Sequence, residues 1–311
     1  MVNLVYPLQM KSSNEADLRL YAHPLTKELI FYLLDSPQAS LKEIRAAFPE
    51  VNRKKLDEQI QKLIDCQVIE RKERTYSVIL PIYTKDQFQA DQKLAKEKVT
   101  GILSSWKEKM MTEEWKEGLD KDAFSYFIAK VIPENQELLL LEEGIEMQRW
   151  ISISSEKAIF ASYQSLSVWE QDWVSYFLAL HAQCPLVTAY SQEIYPYTGD
   201  VETSFFLDRC LRLIRQMNRA TGDLEKQKQS IFYQALSAAH WIQNDQLTIR
   251  LFRKKLRKQW ELWEEKYQEN LKELQHLFSI SSPMQNYCLL SELYQQLDIL
   301  PISESSMVIE K

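Results

Sequence analysis

Glycine is scarce in this chain, with five residues in 311. Loops that cradle phosphates need backbone free of Cβ atoms, and tight turns often need left-handed residues that glycine adopts at no steric cost. The scarcity therefore disfavours phosphate-binding loops and β-rich folds with many tight turns, and favours helices. Other gaps agree. No Walker loop, GxGxxG, HExxH or GxSxG sequence occurs. The four cysteines, Cys66, Cys184, Cys210 and Cys288, are far apart and form no CxxC pair. A zinc or redox centre has no support, and all four are expected as reduced thiols of a cytoplasmic protein. Only His23, His181, His240 and His276 could serve as imidazole bases or ligands. His23 precedes Pro24 at a helix start, where capping or exposure is expected, while His181 and His240 sit in apolar helical text and read as core residues. Glu142-Glu143 and Glu264-Glu265 are sequence neighbours, and adjacent side chains diverge, so neither pair is a catalytic dyad. The sequence thus predicts no enzyme, no cofactor and no metal. The first ten residues lack a secretory pattern and Leu138–Leu141 is too short to span a bilayer, so no membrane partner is expected.

Charge offers no general attraction to nucleic acid. Lysine and arginine total 38 against 44 acidic residues, a net of -6. Any nucleic-acid contact must come from a local patch. Hydrophobic residues make up 45% and tryptophans number eight, enough for a sizeable core.

The stretch from Ser40 to Tyr83 carries the clearest pattern. Ser40 and Glu43 are spaced as a capping box. Leu41, Ile44 and Phe48 follow at helical spacing, and Pro49 stops that helix. Asn52 is the expected cap of a second helix whose buried face is Leu56, Ile60, Leu63 and Ile64. Val68-Ile69 and Val78-Ile79-Leu80 read as strands around a turn at Arg71–Thr75. Pro24 to Leu34 supplies a helix to pack behind the pair, and Leu29, Leu33, Ile44, Phe48, Leu56, Ile60 and Leu63 form the predicted core. The pattern is that of a winged helix-turn-helix. Gln67 stands where a helix-to-strand junction usually carries glycine.

Beyond Tyr83 the text predicts a polar helix over 84–117, bent near Gly101 and anchored by Trp106 and Trp115. Three short strands over 137–141, 148–154 and 158–163 read as an antiparallel meander. Helices are predicted over 171–183, 201–217, 226–243, 246–278 and 284–297, with a frayed tail from Pro301. The expected class is mainly α within α+β: a winged-helix domain over 1–83, a helical connector over 84–132, and a meander with a helical domain over 133–311.

Two charged surfaces are candidates. On the second helix and the wing stand Arg53, Lys54, Lys55, Gln61 and Lys62 with Arg71, Lys72 and Arg74, opposed by Asp57, Glu58 and Asp65. Residues 1–83 hold 12 cations against 11 anions. The second candidate is Arg250, Arg253, Lys254, Arg257 and Lys258, read as one face of the 246–278 helix. That run is either an acid- or phosphate-binding surface or a solvated face, and Glu261, Glu264 and Glu265 weaken a nucleic-acid groove there. The helix's apolar steps of 4, 4, 3, 4, 4, 3 and 4 fit packing on neighbouring helices better than a dimer seam.

Ile44–Pro49, Glu70-Arg71, Tyr76, Leu80-Pro81, Phe206–Arg215 and Gln227–Leu236 together resemble a domain family of unknown function found in streptococci and related Firmicutes. The likeness spans most of residues 20–245. It implies a shared fold and no assigned activity. Two functional classes stay open: a regulator that binds duplex DNA through the winged helix, strengthened by homodimerisation, and an interaction protein that holds a protein partner.

Overall fold

The computed structural model describes residues 2–5, 23–80, 82–110, 126, 139–165, 172–181, 188–199, 201–219, 224–253, 282–298 and 305–311. The fold is mixed α+β. The chain falls into two compact units, one drawn from 1–87, 135–145 and 182–184, the other from 88–134, 146–181 and 185–311.

In the first unit, β1 (Val2–Val5) is followed by α1 (Pro24–Asp35), β2 (Ala39–Ser40), α2 (Leu41–Ala47), α3 (Arg53–Asp65), β3 (Ile69–Lys72), β4 (Thr75–Val78) and β5 (Ile82–Tyr83). Local chemistry sets the boundaries. His23 caps α1, its Nδ1 accepting from the Leu25 N–H at 3.2 Å. The Ser40/Glu43 capping box is present, with the Ser40 N–H donating to Glu43 Oε2 at 2.7 Å. Asn52 Oδ1 accepts from Lys54 N–H at 3.0 Å and Lys55 N–H at 3.4 Å. Leu29, Leu33, Ile44, Leu56, Ile60 and Leu63 are buried as predicted. Phe48 is only half-buried, because it caps the end of α2 and meets Tyr32 edge-on at 5.7 Å rather than entering the core. β4 pairs antiparallel with β2 on one side and β3 on the other.

The hairpin turn is shorter than the predicted Arg71–Thr75. Only Glu73 and Arg74 turn, both at positive φ (49° and 75°), the signature of a two-residue type I′ turn. Glycine scarcity therefore does not forbid tight turns here. Among the described residues eight non-glycine residues take positive φ, including Gln38, Gln67, Asn244 and Asp245.

A second sheet completes the first unit. β6 (Leu139–Glu142) lies between β1, antiparallel, and β5, parallel. This corrects the expected meander: the segment pairs within the first unit and belongs to a different sheet from 148–154. Its Leu140 and Leu141 are buried on both sides of the pleat, as a central strand requires.

In the second unit, which takes α4 (Lys85–Met110) from Phe88 onward, that helix runs through Gly101 unbroken; Trp115 lies outside the described residues. β7 (Gln148–Ser154) and β8 (Ala158–Ser165) form a hairpin. Then come α5 (Trp173–His181), α6 (Ala189–Thr198), α7 (Thr203–Asn218), α8 (Leu224–Lys228), α9 (Ile231–Ala238), β9 (Ile242–Gln243), β10 (Gln246–Leu247), β11 (Arg250–Phe252), α10 (Pro283–Gln296) and β12 (Ser305–Glu310). The tail is a strand and not frayed: β12 sits between β11, parallel, and β8, antiparallel, so the sheet order is β11-β12-β8-β7. The C-terminal part is thus built around a sheet and is not a purely helical domain.

The predicted 226–243 helix is two helices, since the Ser230 side chain caps a new start at Phe232 N–H. His240 is an exposed residue at φ 61° just beyond α9, not a core residue. The predicted 246–278 helix does not begin as one: residues 246–247 and 250–252 are strands, and 254–281 lie outside the described residues. On one face of the sheet an aromatic cluster forms the core. Trp173 meets Phe177 at 4.7 Å, Trp241 at 5.4 Å and Phe206 at 6.4 Å, and Phe160 stacks on Trp241 at 6.1 Å.

Candidate nucleic-acid interface

The buried face of α3 fixes what the helix shows to solvent. Leu56, Gln59, Ile60 and Leu63 point inward, so Arg53, Lys54, Lys55, Glu58, Gln61, Lys62 and Asp65 are exposed on the other faces. Two polar contacts hold that orientation. Gln59 Nε2 donates to Thr26 Oγ1 at 2.6 Å inside the core, joining α3 to α1. Arg45 makes a bidentate pair with Asp57, Nε to Oδ1 at 3.2 Å and Nη2 to Oδ2 at 2.5 Å, joining α2 to α3. The hydrogen bond to Asp57 raises the Arg45 pKa. The planar fork adds geometric specificity, which matters more here than the energy of a half-exposed pair.

All eight predicted residues of this surface are exposed. They are not equally available. Lys54 has Glu58 at 3.9 Å, Gln61 donates to Asp65 at 2.8 Å, and Lys72 is held by Glu70 at 2.9 Å. The Arg71 guanidinium lies 5.7 Å from the centroid of the Tyr76 ring. The side chains of Arg53, Lys55, Lys62 and Arg74 contact no acidic group among the described residues. Of the three opposing acids, Asp57 is neutralised by Arg45, a pairing across twelve positions that helical spacing alone does not reveal. The two-residue turn places Glu73 and Arg74 together at the exposed hairpin tip, so an acid stands beside that arginine.

The second basic surface does not assemble as predicted. Arg250 lies on β11 and Arg253 just after it, both exposed. A strand alternates its side chains, so the two do not share a helix face. Lys254, Arg257 and Lys258 lie outside the described residues. Among the described residues no three His, Cys, Asp or Glu side chains converge as a metal site, and no helix is long and apolar enough to cross a membrane. Cys66, Cys210 and Cys288 form no disulfide; Cys184 lies outside the described residues. Burial pushes the Cys210 thiol well above its ordinary pKa, which makes it inert as a nucleophile.

A family model described as a domain of unknown function (DUF1803) matches residues 8–111. The match includes α1 to α3, the hairpin and all of α4. No curated protein and no solved structure matches the chain.

Proposed function

We propose that the first unit is a winged helix-turn-helix that binds duplex DNA, with α3 entering the major groove and the β3–β4 hairpin acting as the wing. One observation carries the reading: seven cations of α3 and the hairpin are exposed, and Arg53, Lys55, Lys62 and Arg74 are uncommitted to acids among the described residues. Lysines and arginines on such elements serve phosphates, while base edges are read in the groove. On this reading the protein works as a non-enzymatic regulator in the cytoplasm. Because residues 1–83 hold 12 cations and 11 anions, a single copy binds weakly. Useful affinity comes from a homodimer or from a partner.

The test is duplex binding by the full chain, read by fluorescence anisotropy at low and moderate salt. Wild type is expected to bind at low salt and weaken steeply as salt rises. The variant Lys54→Glu, Lys55→Glu, Arg74→Glu is expected to lose binding, with the log–log salt slope shallower by about 0.9 for each phosphate contact removed. All three positions are exposed, so its melting temperature should match wild type. No binding by wild type at low salt, or equal binding by the variant, sinks the proposal.

A second reading has its own observation. Ile79 and Ile82 are 44% and 43% exposed just after the hairpin, an apolar pair suited to holding a protein partner. Failure of the duplex assay would favour it.

A further inference from the structure

Within the second unit a groove of about 780 Å³ lies between α7 and the turn that joins β7 to β8. Charged side chains dominate its described lining, and most of them already have partners. Asp208 accepts from the Lys157 N–H at 3.3 Å and has the Lys157 ammonium at 3.7 Å. Arg215 Nε donates to Glu310 Oε1 at 2.6 Å. Glu202 accepts from the Ser204 and Phe205 N–H groups at 2.8 and 2.6 Å. A carboxylate therefore already occupies the start of α7, and the helix end is not what draws a ligand.

Arg209 and Arg212 differ from these. Both are exposed, and neither pairs with an acid among the described residues. They stand three residues apart on one face of α7, a spacing that sets Cβ atoms about 5–6 Å apart. Two long guanidinium side chains so placed can reach the same bound group. The Arg209 guanidinium lies 4.9 Å from the centroid of the Phe205 ring. That ring is 50% exposed, so a large apolar surface stands open at the wall of the same groove. Glu156, exposed at the β7–β8 turn, is the one lining acid that no described cation or amide holds. The uncommitted charge is thus two cations against one acid.

We infer that this groove binds a small phosphate monoester with an aromatic body. One arginine fork matches the two oxygens of a carboxylate. A second free fork about one turn along calls for more acceptor oxygens and more than one negative charge. A phosphoryl group has both, with three terminal oxygens and a charge near -2 at neutral pH. The phosphoryl group lies between Arg209 and Arg212, and the aromatic body packs against Phe205. The volume suits a molecule of metabolite size. None of these residues belongs to the surface proposed to hold DNA, so the two assignments stand or fall separately.

The experiment titrates the full chain by isothermal calorimetry at low salt with phenyl phosphate, inorganic phosphate and benzoate. Phenyl phosphate is expected to saturate at one site per chain. Inorganic phosphate should bind more weakly because it lacks the ring, and benzoate because it lacks the second charge. Arg209→Gln and Arg212→Gln should each weaken phenyl phosphate about tenfold, the scale of one lost charge-assisted hydrogen bond. Phe205→Ala should weaken phenyl phosphate and leave inorganic phosphate unchanged, while Glu156→Gln should tighten both. All four positions are exposed, so these variants should melt with wild type. The Lys54→Glu, Lys55→Glu, Arg74→Glu variant should bind phenyl phosphate as wild type does, whatever it does to DNA. The assignment is overturned if phenyl phosphate fails to saturate at millimolar concentration, or if benzoate binds as tightly. It is overturned equally if either arginine variant binds as wild type does, if Glu156→Gln weakens binding, or if the first-unit variant loses it.

Discussion

Gln67 sits at φ 58° just past the end of α3. Its N–H bonds to the Ile64 carbonyl at 3.0 Å, and the Val68 N–H bonds to the Leu63 carbonyl at 2.9 Å. Those two bonds are the Schellman pattern, which favours glycine at the left-handed position. Gln67→Gly should therefore raise stability by about 0.5–1 kcal/mol, the relief of left-handed strain exceeding the added entropy of the unfolded chain. Urea denaturation would show this, and a loss of stability would mean that the glutamine side chain does something the backbone argument omits. Phe48 is the converse case. Because it is half-buried, Phe48→Ala should cost about 2 kcal/mol, less than the 3–5 kcal/mol of a fully buried phenylalanine. Asp245 gives a pH prediction. It accepts from Lys228 Nζ at 2.8 Å and from the Tyr233 hydroxyl at 2.6 Å, and these bonds lower its pKa below 3.8, Lys228 first. A carboxylate depressed on folding stabilises above its unfolded pKa and loses that contribution as pH falls through its folded value. The melting-temperature gap between wild type and Asp245→Asn should be constant above pH 3.8 and close below it.

At the scale of elements, what was legible was local. The Ser40/Glu43 and Asn52 caps and the spacing of Leu56, Ile60 and Leu63 fix α2 and α3 without help from distant chain, and the exposure of Lys54, Lys55 and Lys62 follows from that spacing. The C-terminal strands depend on partners far away. Arg250–Phe252 pairs with Met307–Ile309, and nothing near residue 250 announces it; Phe252 also sat in register with the aromatic steps that follow, which imitated a helix start. One local signal was present in Asn244-Asp245, two residues that tolerate left-handed backbone and here turn β9 into β10 at φ 50° and 62°. The misread tail yields a prediction. Val308 is fully buried in a strand flanked on both sides, so Val308→Asp should cost about 3–5 kcal/mol or more through an unpaired buried charge. A cost near half a kilocalorie (about that of a surface change) would place β12 outside the sheet.

For the whole molecule, the division of the chain matters more than its length. All of the acidic excess lies beyond residue 83, since residues 1–83 carry 12 cations and 11 anions against a net of -6 overall. The first unit is nevertheless not a segment that can be cut out cleanly. Its β6 comes from residues 139–142 and is the shared partner of β1 and β5, and the family match over 8–111 stops short of it. A fragment of residues 1–87 keeps every described side chain of the α1–α3 core but strips both outer strands of their hydrogen-bond partner. Unpaired strand amides exchange with solvent, whereas a helical core with its own apolar packing keeps its protection. Hydrogen exchange on the fragment and the full chain separates these. The amides of Leu29, Ile60 and Leu63 should stay protected in both. Those that β6 protects in β1 and β5 should be protected in the full chain and exchange freely in the fragment. Adding residues 135–145 as a peptide should restore part of that protection. If the two outer strands were equally protected without β6, the three-stranded sheet would not be what holds them. If Leu29 and Leu63 lost protection as well, the helical core would depend on β6, and the first unit would fold only with its inserted strand in place.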